Sequence, residues 1–316
     1  METNVSFGLL FTQVSGLFLV LMLGYWMNRS RKLPKEAEGI MAQLTTKLFL
    51  PALQISVFAE QCTVANLKQY SSWIVWGAVF YLVSILIAVL AGKSMAKGND
   101  YMECIYRYAL GFPNNGGFGI PLVLALFDRE IFFQYQLFVL SGSILCYSWG
   151  VPQLMPKAHQ GGWRRRLGNL CNPVFESIFI GMVLGLTGVG RMLPELVHTT
   201  LNNLGNCYSV VSLLLVGFVL GDYKIKDIIG GRQVYIFTVM RLIIIPGLFL
   251  IVLKLLGVPQ IIYIFTILNF ACPCGMNVVI YPASFDEDTR PGAGMVLVSS
   301  TLAVLTIPLL YALAGM

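Results

Sequence analysis

Two short stretches set proline, glycine and asparagine inside runs that are otherwise apolar. They are Phe112-Pro113-Asn114-Asn115-Gly116-Gly117-Phe118-Gly119-Ile120-Pro121 and Cys272-Pro273-Cys274-Gly275-Met276-Asn277, the second ending near Pro282. Neither suits an unbroken helix, because Pro113 and Pro121 donate no backbone hydrogen bond and the three glycines weaken the turns between them. A helix interrupted in this way leaves N–H and C=O groups unpaired at its inner ends, and its N-terminal ends carry a partial positive charge that suits an anion. Asn114, Asn115 and Asn277 add neutral donors and acceptors. The candidate binding residues are therefore Pro113, Asn114, Asn115, Gly116 and Gly119 in the first stretch, and Pro273, Cys274, Gly275 and Asn277 in the second. A pair of kinked packing helices is the plainer reading, since Pro and Gly are common in membrane spans. Two breaks in corresponding places favour the site.

Three basic residues, Lys47, Arg107 and Arg241, also fall inside apolar runs. A cation in hydrocarbon costs several kcal/mol unless it is paired, hydrated or snorkelling, so each is a functional candidate, here for attracting anions to a cytosolic vestibule. Glu103 and Arg107 have the i, i+4 spacing of a helical pair, and Arg107 and Arg241 could reach the headgroups through their stems. Lys47 lies four residues before Pro51, whose missing N–H leaves the Lys47 carbonyl without its helical partner; scaffold stabilisation and substrate attraction suit it equally. No Asp lies within a run, and Glu38, Glu103 and Glu176 sit near the starts of theirs. That pattern weakens a proton relay or an acidic cation site. With His159 and His198 in loops there is no Ser and His pair either, so no enzyme is expected. The seven cysteines form no disulfide framework, and Cys272 and Cys274 lack the His or carboxylate partners of a metal site. No metal and no cofactor is expected, and sodium or proton coupling stays open.

The elements that must position these residues follow from composition. The 316-residue chain is 57% hydrophobic and 11% charged. Its apolar residues gather in runs of about 18 to 25, long enough to cross about 30 Å of hydrocarbon as helices. Membrane barrel strands would alternate apolar and polar residues, and these runs do not. The expected spans are Val5 to Met27, Ala37 to Ala59, Trp73 to Ala91, Tyr101 to Phe127, Ile131 to Val151, Pro173 to Val189, Leu201 to Leu220, Val234 to Leu256, Ile261 to Ile280 and Gly292 to Ala314. The first is kept as a span, because basic residues follow it rather than precede it as in a signal peptide. Fourteen Lys and Arg fall in or beside odd-numbered loops and four (Lys68, Arg129, Arg191, Lys254) beside even-numbered ones. The odd loops are therefore expected in the cytosol and both termini outside. The net charge of +6 reflects this orientation and does not argue for nucleic acid.

An internal repeat is visible. A shift of 160 residues places Leu33-Pro34 on Leu193-Pro194 and Pro113 on Pro273, and a shift of 158 places Phe127-Asp128 on Phe285-Asp286. Two halves of five spans, 1–156 and 157–316, must then run in opposite directions. The expected fold is an all-α polytopic membrane protein of ten transmembrane helices in two inverted five-helix repeats, its fourth and ninth helices broken. Broken helices in corresponding positions of inverted halves point to the midplane binding site of a secondary transporter.

Leu48-Phe49-Leu50-Pro51-Ala52-Leu53, Pro113-Asn114 with Gly119-Ile120-Pro121, Asn172-Pro173, and Ser300-Thr301-Leu302 leading to Pro308-Leu309-Leu310 carry a family likeness. Together they resemble the auxin efflux carrier family, which includes bacterial malate and malonate permeases and plant PIN-type carriers. The resemblance covers nearly the whole chain. It implies a fold like that of bile acid sodium symporters, with spans 1, 2, 6 and 7 as a scaffold. Spans 3 to 5 and 8 to 10 would form a moving transport domain whose broken helices cross at the site. It further implies a permease for small organic anions, usually carboxylates, an elevator-like motion, a homodimer and a place in the plasma (inner) membrane. Cys274 stands close to a polar position of the plant carriers, and the long cytosolic loop of those carriers is absent. A ligand-sensing membrane module and a sodium-coupled organic anion symporter are the alternatives.

Overall fold

A computed structural model describes residues 5–156, 162, 164 and 168–315. Lys157, His159, Arg165 and Arg166 of the expected central loop, and the boundary between the expected halves, lie outside the described residues. The described residues are helical. In chain order the main helices are α1 (Phe7–Arg29), α2 (Ala37–Gln61), α3 (Ser72–Ala96), α4 (Asp100–Gly111), α5 (Asn115–Leu126), α6 (Arg129–Gln153), α7 (Pro173–Leu186), α8 (Glu195–Leu220), α9 (Arg232–Leu256), α10 (Gln260–Phe270), α11 (Asn277–Ala283) and α12 (Arg290–Leu313). Seven of them, α1, α2, α3, α6, α8, α9 and α12, are long and apolar enough to cross a membrane. The other three expected spans are shorter. The sixth is α7, with 14 residues. The fourth and ninth are each interrupted, as α4 and α5 around Phe112–Asn114 and as α10 and α11 around residues 271–276.

Local chemistry sets where the helices start. Ser6, Asn99, Asp128 and Asn172 each accept a hydrogen bond from a first-turn N–H of the helix that follows, at 2.9 to 3.3 Å, which satisfies donors that have no partner within the helix. Beside the start of α12, the Arg290 guanidinium donates twice to the exposed Asp288 carboxylate, at 2.8 and 2.9 Å, and holds that carboxyl below its usual range.

Prolines inside helices act in one repeated way. The N–H of the residue just before Pro51, Pro121, Pro152 and Pro246 reaches back five residues rather than four, to Thr45, Asn115, Cys146 and Met240 respectively. A proline ring crowds the carbonyl four residues earlier and offers it no N–H. One widened π-type turn relieves the crowding without ending the helix.

Packing follows small residues. A methyl group on Gly24 of α1 would fall on the Leu214 carbonyl of α8, and one on Gly217 of α8 would fall on the Leu21 carbonyl of α1; bare backbone lets the two helices meet closely. Helix α7 packs on α2, while α3 packs on α4 and α6, and α12 packs on α1 and α9. The core is aromatic. Phe80, Tyr81, Phe138, Phe249, Phe265 and Phe270 form a run of tilted and edge-on rings beside the two interruptions. Large apolar side chains such as Leu86, Leu90, Phe179, Ile251 and Leu255 point outward, exposed by more than half, as a lipid-facing surface requires.

Candidate functional site

The two interruptions meet. Pro113 and Cys274 pair as an isolated antiparallel bridge, with the Asn114 N–H donating to the Pro273 carbonyl at 2.9 Å. The Cys274 N–H donates to Ser299 Oγ of α12 at 2.9 Å. Extended backbone buried inside the protein would be costly alone, and pairing each break with the other supplies partners.

Four helix ends converge here. Helices α4 and α10 bring their C-terminal ends, and α5 and α11 begin with their N-terminal ends. The C-terminal ends share a cation: Arg241, on the widened turn of α9, donates from Nη1 to the Leu110 carbonyl at 2.7 Å and from Nε to the Cys272 carbonyl at 3.2 Å. Its side chain is fully buried. Ser84 Oγ of α3 adds bonds to the Leu110 and Gly111 carbonyls at 3.3 and 3.2 Å.

The N-terminal ends open on a cavity of about 260 Å³. Asn114, Asn115, Gly116 and Gly117 line it from α5 and the residue before it, and Gly275, Met276 and Asn277 line it from the start of α11. Asn114 is 8% exposed, and its Oδ1 accepts from the Gly117 N–H at 2.9 Å. That N–H can only donate, so it fixes which end of the Asn114 amide is left for the cavity. Asn115 Oδ1 accepts from Tyr135 OH at 2.6 Å. The two amide nitrogens make no hydrogen bond among the described residues, and they stand as donors at the positive end of α5. Asn277 Nδ2 donates to Tyr108 OH at 2.6 Å, and Tyr208 OH of α8 donates to the Gly116 carbonyl at 2.8 Å.

Of the nine candidates read from the sequence, Pro113, Asn114, Asn115, Gly116, Gly275 and Asn277 line the cavity. Pro273 and Cys274 lie behind it in the backbone bridge, and Gly119 lies within α5, where its missing side chain leaves room for the bond between Asn115 and Tyr135. The three candidate cations are not among the lining residues. Lys47 is exposed, with Nζ 3.4 Å from Gln43 Oε1; Arg107 pairs with Glu103; Arg241 holds the two carbonyl ends. Among the described lining residues there is no Asp, Glu, Lys or Arg. The donors in the described lining are therefore neutral, backbone and amide N–H groups among them, with no charged side chain.

Several lining residues were not singled out from the sequence: Tyr108, Tyr208, Gln54 and Gln136, with Tyr135 just behind. Tyrosine and glutamine within apolar runs were the available signal, because a buried hydroxyl or amide needs a partner. Helices α2 and α6 line the cavity with Thr45, Thr46, Cys146 and Tyr147 among others. The same two helices also meet outside the lining, where Arg129 of α6 donates to Ser56 Oγ of α2 at 2.8 Å and lies 3.6 Å from Glu60, while Ser56 also bonds Asn202 of α8.

A family model described as membrane transport protein matches residues 9–162 and 164–311. No curated protein matches the chain.

Proposed function

The chain belongs to the membrane transport protein family, the auxin efflux carrier family of the likeness noted above, and from that membership as an integral membrane transporter we propose that it is a secondary transporter (permease) of small organic anions, carboxylates foremost. One observation carries this reading. The N-terminal ends of two half-helices, with amide nitrogens of Asn114 and Asn115 that make no hydrogen bond among the described residues, face one cavity whose described lining holds no charged side chain. Helix N-termini and neutral donors suit a carboxylate, whereas a cation would meet the wrong end of both helices. A cavity of about 260 Å³ suits a small molecule, being near the lower edge of the range usual for ligand sites.

In this reading the fold is two inverted halves of five spans, 1–156 and 157–316. Packing supports it: α1 lies on α8 as α7 lies on α2, which is the exchange expected if the first and second spans of each half correspond. Helices α1, α2, α7 and α8 form the scaffold, and α3 to α6 with α9 to α12 form the transport domain. The scaffold is also the surface for a homodimer. The balance of basic residues puts both termini outside the cytosol, in the plasma (inner) membrane. Arg129, Ser56, Glu60 and Asn202 then bond one another toward the outer side, across the boundary between scaffold and transport domain. An elevator-like displacement would break those contacts and carry the crossing past them.

Proteoliposome uptake of labelled malate, malonate and related mono- and dicarboxylates tests the reading. Saturable uptake of at least one acid, competed by others, is expected. No saturable uptake across the panel, by protein that remains monodisperse, would sink the substrate class.

A further inference from the structure

The C-terminal ends of α4 and α10 stop inside the protein and point at the same place. Each helix end leaves carbonyls without helical partners and carries a partial negative charge of about half an electron. Two such ends in a water-poor interior need a positive counterpart. A cation drawn from the medium would be one solution. This chain holds another, the Arg241 guanidinium, bonded to Leu110 O at 2.7 Å and to Cys272 O at 3.2 Å and fully buried.

Its surroundings are unusual for a buried arginine. Cys272, Cys274, Tyr81 and Tyr108 lie around it, and among the described residues it makes no ion pair with a carboxylate. Nη2 is buried and has no hydrogen-bond partner among the described residues. A guanidinium in an apolar interior normally pairs with an acid, since an unpaired buried charge is costly. Here the compensating charge is the pair of helix ends. The widened turn at Met240–Ile244, set by Pro246, is where α9 departs from regular geometry, and Arg241 stands on it; single π-type turns of this kind recur where a helix must aim a functional side chain. Tyr81 and Tyr108, beside Arg241, both line the cavity.

We infer that Arg241 is the resident counter-cation of the crossing: it ties the two carbonyl ends together where a medium cation would otherwise be required, so the crossing binds no sodium. Arg241 is a positioning residue in this scheme, since it touches the half-helices and not the substrate. The part of the inference that concerns uptake rests on the proposed transport function. The part that concerns the crossing does not.

The test uses full-length protein and two buried thiols as reporters. Cys272 and Cys274 flank the bridge and are fully buried, and their reaction with a small maleimide is read by peptide mass spectrometry. In the unaltered protein, labelling and melting temperature should be the same in sodium chloride and in choline chloride. Sodium-specific protection or stabilisation would overturn the inference without any variant being made. In Arg241→Ala both thiols should react at least about ten-fold faster, the size expected when charge-assisted hydrogen bonds are lost, and millimolar guanidinium should restore most of the protection. Arg241→Lys should stay within a few-fold of the unaltered protein, and Arg241→Met should resemble Arg241→Ala. Equal protection in Arg241→Met and Arg241→Lys would assign the side chain a space-filling role and overturn the inference. So would labelling of Arg241→Ala at the unaltered rate. Cys62, buried between α2 and α7 away from the crossing, reports whether a variant has unfolded as a whole. Absence of uptake for every acid would sink the proposed substrate class, yet these labelling outcomes would still stand or fall by themselves.

Discussion

The first and second interruptions use one device for different ends. At the first, three residues separate α4 from α5, and Asn114 caps α5 through its own side chain while keeping its amide nitrogen for the cavity. At the second, six residues, 271–276, separate α10 from α11. There α11 starts without a side-chain cap, and Asn277, within the cavity lining, spends its amide nitrogen on Tyr108 OH. The first break concentrates polar side chains, whereas the second supplies mostly backbone: the Pro273 carbonyl for Asn114, the Cys274 N–H for Ser299 and the Cys272 carbonyl for Arg241. In the proposed reading the two breaks divide the work, the first recognising the substrate and the second holding the crossing in place.

Substitutions can break or sharpen that contrast. Asn114→Ala should have the largest effect. It removes a helix cap worth about 1 kcal/mol together with a cavity donor, and uptake should fall by about a hundredfold, near the upper range for losing a hydrogen bond to a charged group. Gly119→Ala comes next. An added methyl carbon would lie 2.8 Å from both Asn115 Oδ1 and Tyr135 OH, forcing their bond apart, and a loss of about tenfold or more in uptake is expected for misplacing that donor. Asn277→Ala leaves Tyr108 OH without its amide partner and should lower the melting temperature, at a cost of about 1 to 2 kcal/mol, with a smaller fall in uptake than Asn114→Ala. If Asn277→Ala were the more damaging of the two in uptake, the division of labour would be reversed. Gly275→Ala should change uptake by less than about threefold, because the nearest atoms to its added carbon lie 3.8 to 4.0 Å away, ordinary contact distance. Lys47→Gln should be the mildest, within about twofold, since an exposed lysine outside the cavity gives only a screened, long-range attraction. A large loss there would restore Lys47 as an anion-attracting residue.

Sequence patterning carried the helices and both breaks, because hydrocarbon forces long apolar runs and a paired Pro and Gly cluster interrupts them wherever it falls. It also brought forward six residues that line the cavity. It could not place Arg241, for a long side chain within a span can reach outward or turn inward, and only the position of the opposing carbonyls decides between them. Nor could it show that Glu103 takes Arg107 for itself, since i, i+4 spacing permits that pair without requiring it. Tyr108, Tyr135 and Tyr208 read as ordinary members of apolar faces; their hydroxyls gain meaning from Asn277, Asn115 and the Gly116 carbonyl, which are remote in sequence and adjacent only once the breaks meet. The sixth span ran short for a related reason. An apolar run sets an upper limit on a helix, and Gly188, in a left-handed conformation, follows soon after α7 ends.

The widened turns before Pro51, Pro121, Pro152 and Pro246 have a consequence beyond relieving the prolines. An α-helix advances its side chains by about 100° per residue, so one extra residue in a turn resets the angular phase of everything beyond it. A single helix can then show one stripe to its neighbours before the turn and a differently aimed stripe after it. In α2 this separates the exposed Lys47 from the buried Gln54 on the cavity side of the same helix. A hydrophobic stripe traced through such a helix at constant period loses its place midway, and a one-residue deletion there would turn the far half of the helix like a dial while leaving its composition almost untouched.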